Sequence, residues 1–302
     1  MNNLSEKEYW DSVYKSGEDY GVPPERPAPV ALKRRALRAV KRRLRPRTLT
    51  HMSSYANYLF WSVLLKKHLP PMSDARVLEI GSAPGDTLVD FAQRLRMEPF
   101  GVEYSEEGAE VNRRLFKAHG LNPDNVIHAD LFAEDFQNRF RGAFDVVYSG
   151  GFIEHFSDPS DVVDKHLNLL ADGGYLIVLI PNLRGLNYVL TSVFARHLIA
   201  IHNLKIMKLR EFRKLFDEAR LIPLTCAYYG TFSFDLFSDE ARPHVASQKA
   251  LAIVHHAQPL LNLAFRRLFG DRGAETAWTS PYLVYIGRKR PSGGGRVQVP
   301  VS

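Results

Sequence analysis

The chain has 302 residues, of which 45% are apolar and 24% are charged, and this composition is ordinary for a globular protein. That length suits one full α/β domain with additions and is too short for two large domains. The single cysteine, Cys226, excludes an intramolecular disulfide framework. The sequence contains no run of about 18 apolar residues, and its polar start lacks the apolar core of a signal peptide, so we expect a cytoplasmic protein.

The net charge of +7 is concentrated in one segment near the amino end. Residues 26–47 contain ten Lys or Arg residues and no Asp or Glu, so the remainder of the chain is slightly acidic. Within 33–47, Leu37, Val40 and Leu44 fall on one side at helical spacing, which predicts a basic amphipathic helix. Three roles fit this pattern: a cap helix with a solvated face, a helix on the inner membrane surface, and a contact for nucleic acid or another polyanion.

From residue 75 onward, short apolar runs alternate with amphipathic stretches. This alternation predicts an α/β fold whose strands are parallel and joined by crossover helices. The predicted strands are 76–80, 100–104, 125–129, 144–148, 174–180, 222–229 and 282–286. The predicted helices of this core are 87–95, 106–119, 159–170 and 209–219.

Additions surround the predicted core and set the domain boundaries. We expect an N-terminal helical cap over 1–70, a main domain over 71–290 and a disordered tail over 291–302. Helical insertions are expected at 182–206 and 230–281, the second with a helix over 246–269 bent at Pro259. A helix that carries Met52, Leu59 and Val63 on one side is expected to pack over the active site.

A glycine-rich turn follows the first predicted strand. Gly81 and Gly85 enclose Ser82, Ala83 and Pro84, and a helix begins directly afterwards. Glycine permits positive φ and close approach of the backbone to a ligand. The spacing is not the G-x-G-x-x-G that binds a pyrophosphate, and Asp86 at the helix start would repel a phosphate. The turn therefore favours a cationic cofactor without phosphate over a dinucleotide.

The motifs in their order resemble those of the class I S-adenosylmethionine-dependent methyltransferases, in the small-molecule (type 11/12-like) branch. The matching segments are 79–85, 103–104, 128–131, 144–156 and 172–178. This resemblance implies a Rossmann-like doubly wound sheet of seven strands, mostly parallel with the last strand antiparallel. It also implies S-adenosyl-L-methionine as the cofactor and S-adenosyl-L-homocysteine as the product.

The resemblance also implies roles for individual residues. Glu103 would hold the ribose hydroxyls, Tyr104 would pack on the adenine, and Asp130 with Leu131 would meet the adenine edge. Segment 8–14 resembles N-terminal pieces of such enzymes whose aromatic residues close over the methionine end. The expected cofactor-binding residues are Trp10, Tyr14, Glu79, Gly81, Ser82, Ala83, Gly85, Asp86, Glu103, Tyr104, Asp130, Leu131, Ser149 and Gly150. Ala83 departs from the family, which usually has glycine there, and this leaves the loop geometry open.

A methyl acceptor with an oxygen nucleophile must lose a proton, best to a base whose pKa is near neutrality. His155 follows the fourth predicted strand, at the edge where open α/β sheets bind ligands, and is the candidate general base. The alternative is a structural histidine at this place. His51 and His202 are weaker candidates. The sequence predicts no metal site, because the adjacent His255 and His256 would point in different directions on a helix.

Four functions remain open after this reading. The first is methyl transfer to a small-molecule, lipid or glycan acceptor at oxygen; residues 149–152 support it because they lack the Asn/Asp-Pro-Pro-aromatic motif of base-nitrogen methyltransferases. The second is an RNA methyltransferase that grips its substrate through 33–47. The third is a binding module without catalysis, and the fourth, a dehydrogenase, is weakened by Asp86 and the missing third glycine.

Overall fold

The computed structural model of the protein describes residues 3–5, 7–15, 51–238, 242 and 245–291. The basic segment 33–47 and the tail beyond residue 291 lie outside the described residues, so the predictions for them stay predictions. In the part of the chain that is described, no helix combines the length and apolar character needed to cross a membrane.

Seven strands form one sheet in the order β3-β2-β1-β4-β5-β7-β6. The strands are β1 (Arg76–Ile80), β2 (Glu98–Glu103), β3 (Val126–His128), β4 (Phe144–Gly150), β5 (Leu170–Pro181), β6 (Leu221–Tyr229) and β7 (Tyr282–Lys289). The pairs among β1 to β5 are parallel, and β7 runs antiparallel to both β5 and β6. The predicted Rossmann-like sheet with an antiparallel last strand is confirmed.

Helices cover both faces of this sheet. They are α1 (Lys7–Lys15), α2 (Tyr55–Tyr58), α3 (Leu65–His68), α4 (Asp86–Leu95), α5 (Glu106–Ala118), α6 (Glu134–Arg139), α7 (Pro159–Leu169), α8 (Leu186–Phe194), α9 (Leu209–Arg213), α10 (Ala246–His255) and α11 (Gln258–Phe269). A π-helical segment, Leu59–Leu64, joins α2 to α3.

Alternating side chains of the strands divide the core into two layers. Leu78 packs with the layer that contains Val162 of α7 and Phe212 of α9. Val77, its neighbour in β1, packs with the opposite layer, which contains Phe91 of α4 and Phe116 of α5. The short apolar runs of the sequence are therefore strands that are buried on both faces.

The helix that follows residue 54 does not pack over the active site as expected. Its Phe60 and Trp61 lie against the α4 side of the sheet, where the ring centroid of Trp61 is 4.9 Å from that of Phe91 and the ring centroid of Phe60 is 6.1 Å from that of Tyr148. The apolar stripe of this helix thus covers the core layer beneath α4. α1, by contrast, lies near the carboxyl edge of the sheet, where Leu4 N donates to His155 O at 2.7 Å just before that helix begins.

Several boundaries differ from the predicted ones. Helix α6 was not predicted, and α9 ends at Arg213 rather than at residue 219. The expected bent helix over 246–269 is two helices, and Pro259 lies in the first turn of the second, where its missing N–H costs nothing. The strands overlap the predicted ones, although β2 begins at Glu98 rather than at residue 100 and β5 begins at Leu170 rather than at residue 174.

Candidate active site

A groove of about 1740 Å³ runs along the carboxyl ends of β1, β2 and β4 and continues past α7 to Arg220 and Lys289. Ten of the predicted site residues line it: Trp10, Tyr14, Gly81, Ala83, Glu103, Tyr104, Asp130, Leu131, Gly150 and His155. Glu79, Ser82, Gly85, Asp86 and Ser149 are not among its lining residues. The fold thus gathers residues from α1, three strand ends and two loops around one cavity, as binding at the carboxyl edge of an open α/β sheet requires.

Glu103, the last residue of β2, presents a fixed carboxylate to this groove. Its Oε2 accepts a hydrogen bond from Ala83 N at 3.1 Å, and its Oε1 accepts one from Ser105 N at 3.0 Å. Burial raises the pKa of Glu103, and these two backbone N–H groups act in the opposite direction. The carboxylate is therefore oriented before any ligand arrives, and it retains acceptor capacity for a ligand's hydroxyl groups.

The loop between β1 and α4 is fixed by its backbone and by one buried side chain. Gly81 N and Ser82 N both donate to Val102 O, at 3.0 and 3.3 Å. The Ser82 hydroxyl accepts from Asn112 Nδ2 at 2.8 Å, so this side chain holds the loop to α5 rather than facing the groove. Gly81 has φ +70° and Gly85 φ +109°, conformations that favour glycine.

Ala83, where the resembled family usually has glycine, is accommodated without closing the groove. Its carbonyl accepts a hydrogen bond from Tyr14 Oη at 3.1 Å, and its N–H is the group bound by Glu103. A Cβ placed on Gly108 would lie 3.1 Å from the Cβ of Ala83, so the methyl group of Ala83 packs against a residue without a side chain. The methyl group that distinguishes Ala83 from the glycine usual in the family therefore points toward α5.

Two acidic residues of the predicted motif lie outside the groove. Glu79 is buried beneath the loop, and burial raises its pKa well above the ordinary value. Asp86 is exposed in the first turn of α4. A carboxylate there stabilises the helix start, and Asp86 is not among the residues that line the groove.

Ser149 shows how strand alternation decides which side chain reaches the groove. Its hydroxyl is buried and lies 3.0 Å from Nε2 of His166, while Nδ1 of that ring donates to Val162 O at 2.7 Å. Because Nδ1 carries the proton, Ser149 must be the donor to Nε2. The next residue, Gly150, lines the groove in its place.

We expect Ser149→Ala to reduce stability without changing affinity for a ligand in the groove. The substitution leaves Nε2 of the buried, neutral His166 without a donor, which costs about 1–3 kcal/mol. Urea denaturation measures the first effect and calorimetric titration with the cofactor the second. Ser192→Ala on α8, which removes an exposed hydroxyl, serves as the control and should stay within about 0.5 kcal/mol of the parent. A large loss of affinity in Ser149→Ala would contradict this assignment.

The expected adenine end of the groove has one exposed ring and one fixed loop. Tyr104 is 49% exposed, with the Lys7 ammonium 5.3 Å from its ring centroid. Asp130 Oδ1 accepts from Phe132 N at 2.9 Å, which fixes the turn that follows β3. Leu131, beside it, is buried. This end offers a flat surface, a carboxylate and an apolar wall.

Aromatic residues of α1 close the groove at its other end. Trp10 Nε1 donates to Ser5 Oγ at 3.1 Å, and the indole meets the His155 ring edge-on with centroids 5.1 Å apart. Tyr14 reaches the glycine-rich loop through its bond to Ala83 O. The structure therefore brings both predicted aromatic residues to the groove wall, next to the candidate base.

His155 lies in a 3₁₀ turn, Ile153–His155, directly after β4. Its Nδ1 donates to Ile201 O at 2.9 Å, and burial lowers its pKa to about 3. The ring of His202 lies 4.5 Å away between centroids. Glu154 is completely buried, and burial raises its pKa to about 8. Glu154 was not among the residues predicted from the sequence. An acidic residue next to a histidine is not unusual in sequence, and only the fold shows that the insertion after β5 brings His202 close to Glu154 and His155.

Of the weaker candidates, His202 stands beside His155, whereas His51 does not line the groove. His255 and His256 hydrogen-bond to two different carbonyls, Phe234 O and Ala252 O, and so diverge as expected.

Among solved structures, the fold is similar to geranyl diphosphate C-methyltransferase from Streptomyces coelicolor A3(2), a structure in complex with Mg²⁺, geranyl diphosphate and S-adenosyl-L-homocysteine. The TM-score is 0.53 at 16% identity, with 94% of this chain and 99% of that one covered. The [4+2]-cyclase SpnF gives a TM-score of 0.50 at 15% identity, covering 78% and 81%. At such identities these likenesses concern the fold alone.

Curated relatives are similar in sequence over part of the chain. A ubiquinone biosynthesis O-methyltransferase from Thiobacillus denitrificans is 27% identical over 131 residues, which cover 43% of this chain and 55% of that protein. One from Albidiferax ferrireducens is 27% identical over 134 residues, covering 44% and 51%. The chain thus spans about half the length of the curated relatives it matches.

A family model described as "Methyltransferase domain" matches residues 33–223, more than half of the chain. The match includes the glycine-rich loop, Glu103 and the turn at His155. The chain belongs to this methyltransferase domain family.

Proposed function

We propose that the protein transfers the methyl group of S-adenosylmethionine to a hydroxyl oxygen of a small organic acceptor, a class that includes lipids and glycans. The observation that carries this proposal is the fixed Glu103 carboxylate in a groove that continues to His155. The names of the curated relatives support oxygen as the acceptor atom and a small molecule as the acceptor.

The groove fits the cofactor on chemical grounds. Glu103 offers oxygens suited to the two ribose hydroxyls, and Tyr104 offers a ring face suited to adenine. Gly81 has no side chain, so the backbone of this turn can approach a ligand closely. A Cβ at this position would collide with the Phe152 ring, because it would lie 2.8 Å from it. Trp10, Tyr14, Ala83, Asp130, Leu131 and Gly150 complete the proposed contact set.

S-adenosylmethionine supplies an electrophilic methyl group on a sulfonium. The protein's task is then to hold the acceptor oxygen in line with that group and to exclude water. Trp10 and Tyr14 cover the groove where the sulfonium end would lie, so we propose that α1 is the water-excluding element.

We propose that His155 contacts the acceptor. Because Nδ1 is bound to Ile201 O, the neutral ring presents Nε2 as its acceptor nitrogen, suited to a hydrogen bond from a hydroxyl. Burial holds the pKa of His155 at about 3, so the ring is neutral and a weak base in the ligand-free protein. Its role is then to position the acceptor hydroxyl, and it becomes an effective base only if a bound ligand raises that pKa.

Methylation of RNA through the basic segment 33–47 is the second candidate, favoured by the ten basic and no acidic residues in 26–47. The alternative contact of that segment with a membrane surface concerns location rather than chemistry. A non-catalytic binding module would share the groove and lack turnover.

The test has two stages. Calorimetric titration should detect S-adenosylmethionine and S-adenosylhomocysteine but not NAD, and binding of NAD alone would refute the cofactor assignment. Methyl-labelled cofactor is then incubated with hydroxylated aromatics, sugars, lipids and RNA. Label transfer to a hydroxyl of a small acceptor is the expected result. Transfer to RNA, with affinity that falls steeply as salt is added, would favour the second candidate.

A further inference from the structure

Three potential metal ligands meet beside the groove. Glu154 and His155 are neighbours in the 3₁₀ turn after β4, and His202 comes from the insertion that follows β5. One ligand atom of each residue lies within 4.8 Å of those of the other two. The two imidazole rings are 4.5 Å apart between centroids and tilted by 52°, so they converge without stacking.

Both imidazoles are held in the tautomer that a metal ligand needs. Nδ1 of His155 lies 2.9 Å from Ile201 O, and Nδ1 of His202 lies 2.6 Å from Leu198 O. A carbonyl only accepts, so each Nδ1 carries the proton and each Nε2 carries the lone pair. A ring N–H bound to a backbone carbonyl is the usual support of a metal-ligating histidine.

The third potential ligand is a buried carboxyl group without a polar partner. Glu154 is completely buried, and neither of its oxygens has a hydrogen-bond partner among the described residues. A buried carboxylate next to two lone-pair nitrogens is unfavourable unless a cation or proton satisfies it. The carboxylate also lies close to the groove, because a Cβ placed on exposed Gly151 of the groove wall would be 3.6 Å from Glu154 Oε1.

We infer that Glu154, His155 and His202 bind a divalent first-row transition-metal ion such as Zn²⁺, with an open coordination position toward the groove. Two imidazoles and one carboxylate suit Zn²⁺ and its neighbours, whereas Mg²⁺ and Ca²⁺ take oxygen ligands. Tetrahedral coordination would bring the three ligand atoms to about 3.4 Å from one another, a small contraction of the cluster. The expectation of no metal considered only the pair His255 and His256. Here the neighbours Glu154 and His155 are joined by His202 from another segment.

Binding of the ion does not depend on the proposed methyl transfer, and only the assignment of the ion to the acceptor end of the groove rests on it. The Nε2 lone pair of His155 serves one partner at a time. With the ion bound, the acceptor oxygen would therefore meet the open coordination position of the ion instead of His155. The full chain is stripped with a chelator, and ZnSO₄, CoCl₂ or MgCl₂ is titrated alone by calorimetry. We expect one equivalent of Zn²⁺ or Co²⁺ to bind, with visible Co²⁺ absorption of tetrahedral coordination, and no binding of Mg²⁺.

Glu154→Gln and His202→Gln should each weaken Zn²⁺ binding by more than the roughly 10- to 100-fold that loss of an outer-shell partner costs. His256→Gln, at the residue that follows α10, should leave Zn²⁺ binding unchanged. Glu154→Gln keeps the shape of a buried side chain whose oxygens have no hydrogen-bond partner among the described residues, so the variant should fold. Its melting temperature should no longer rise on adding Zn²⁺. The metal site would be refuted if the parent protein did not bind Zn²⁺. It would also be refuted if Glu154→Gln and His202→Gln both bound Zn²⁺ as tightly as the parent protein. Titration of the same metal-free protein with S-adenosylmethionine tests the proposed function separately.

Discussion

Glu103→Ala should weaken binding of S-adenosylhomocysteine by about 1.5–3 kcal/mol, or roughly 10- to 150-fold, the range for hydrogen bonds to a charged group. The loss has two sources. The proposed bonds to the ribose hydroxyls disappear, and the N–H groups of Ala83 and Ser105 lose their acceptor. The second source loosens the loop that would face the cofactor, so the free energy of unfolding should also fall by about 1–3 kcal/mol.

Glu98→Ala is a matched control for that experiment, because it removes an exposed carboxylate from the opposite end of the same strand. Its affinity should equal that of the parent. Glu103→Gln preserves volume but turns an amide toward one of the two N–H donors, so it should weaken binding as well. Titrations are performed well below the melting temperature of each variant. Unchanged affinity in a folded Glu103→Ala would refute the proposed ribose role.

Gly85→Ala should lower the free energy of unfolding by about 2–5 kcal/mol. Alanine at φ +109° costs about 1–2 kcal/mol, and the new methyl group would overlap the Asn112 side chain and lie 3.4 Å from Leu115 Cδ2. Asn112 is fully buried and held to Ser82 by bonds of 2.8 and 3.2 Å, so it has no room to withdraw. Overpacking of this kind adds about 1–3 kcal/mol.

Gly120→Ala separates the backbone cost of positive φ from the cost of overpacking. Gly120 also has positive φ, at +70°, but a Cβ there meets nothing within 4 Å, so only the backbone cost of about 1–2 kcal/mol should appear. Urea denaturation of both variants gives the difference that crowding against Asn112 produces. Equal losses in the two variants would mean that Asn112 yields, and that α5 does not fix the loop.

The resemblance to a methyltransferase could be read from the sequence because its signals are local. Apolar runs alternating with amphipathic stretches predicted a mainly parallel sheet, and parallel strands bring their carboxyl ends, and therefore the motifs that follow them, to one edge. Eight of the predicted site residues reach a common groove for this reason, and Trp10 and Tyr14 join them from α1. The motif alone does not show that Asp86 lies exposed at the start of α4 and outside the lining of this groove.

Tertiary structure decided which side chains face the groove and which neighbours they have. Ser82 and Ser149 turn to Asn112 and His166, a choice made by loop conformation and by the alternation of side chains along a strand. The meeting of Glu154, His155 and His202 depends on how the insertion after β5 packs against the turn after β4. By itself the sequence determined the order of the strands along the chain, the loop and the family. Contacts between distant segments follow from packing of the whole core, and no local pattern records them.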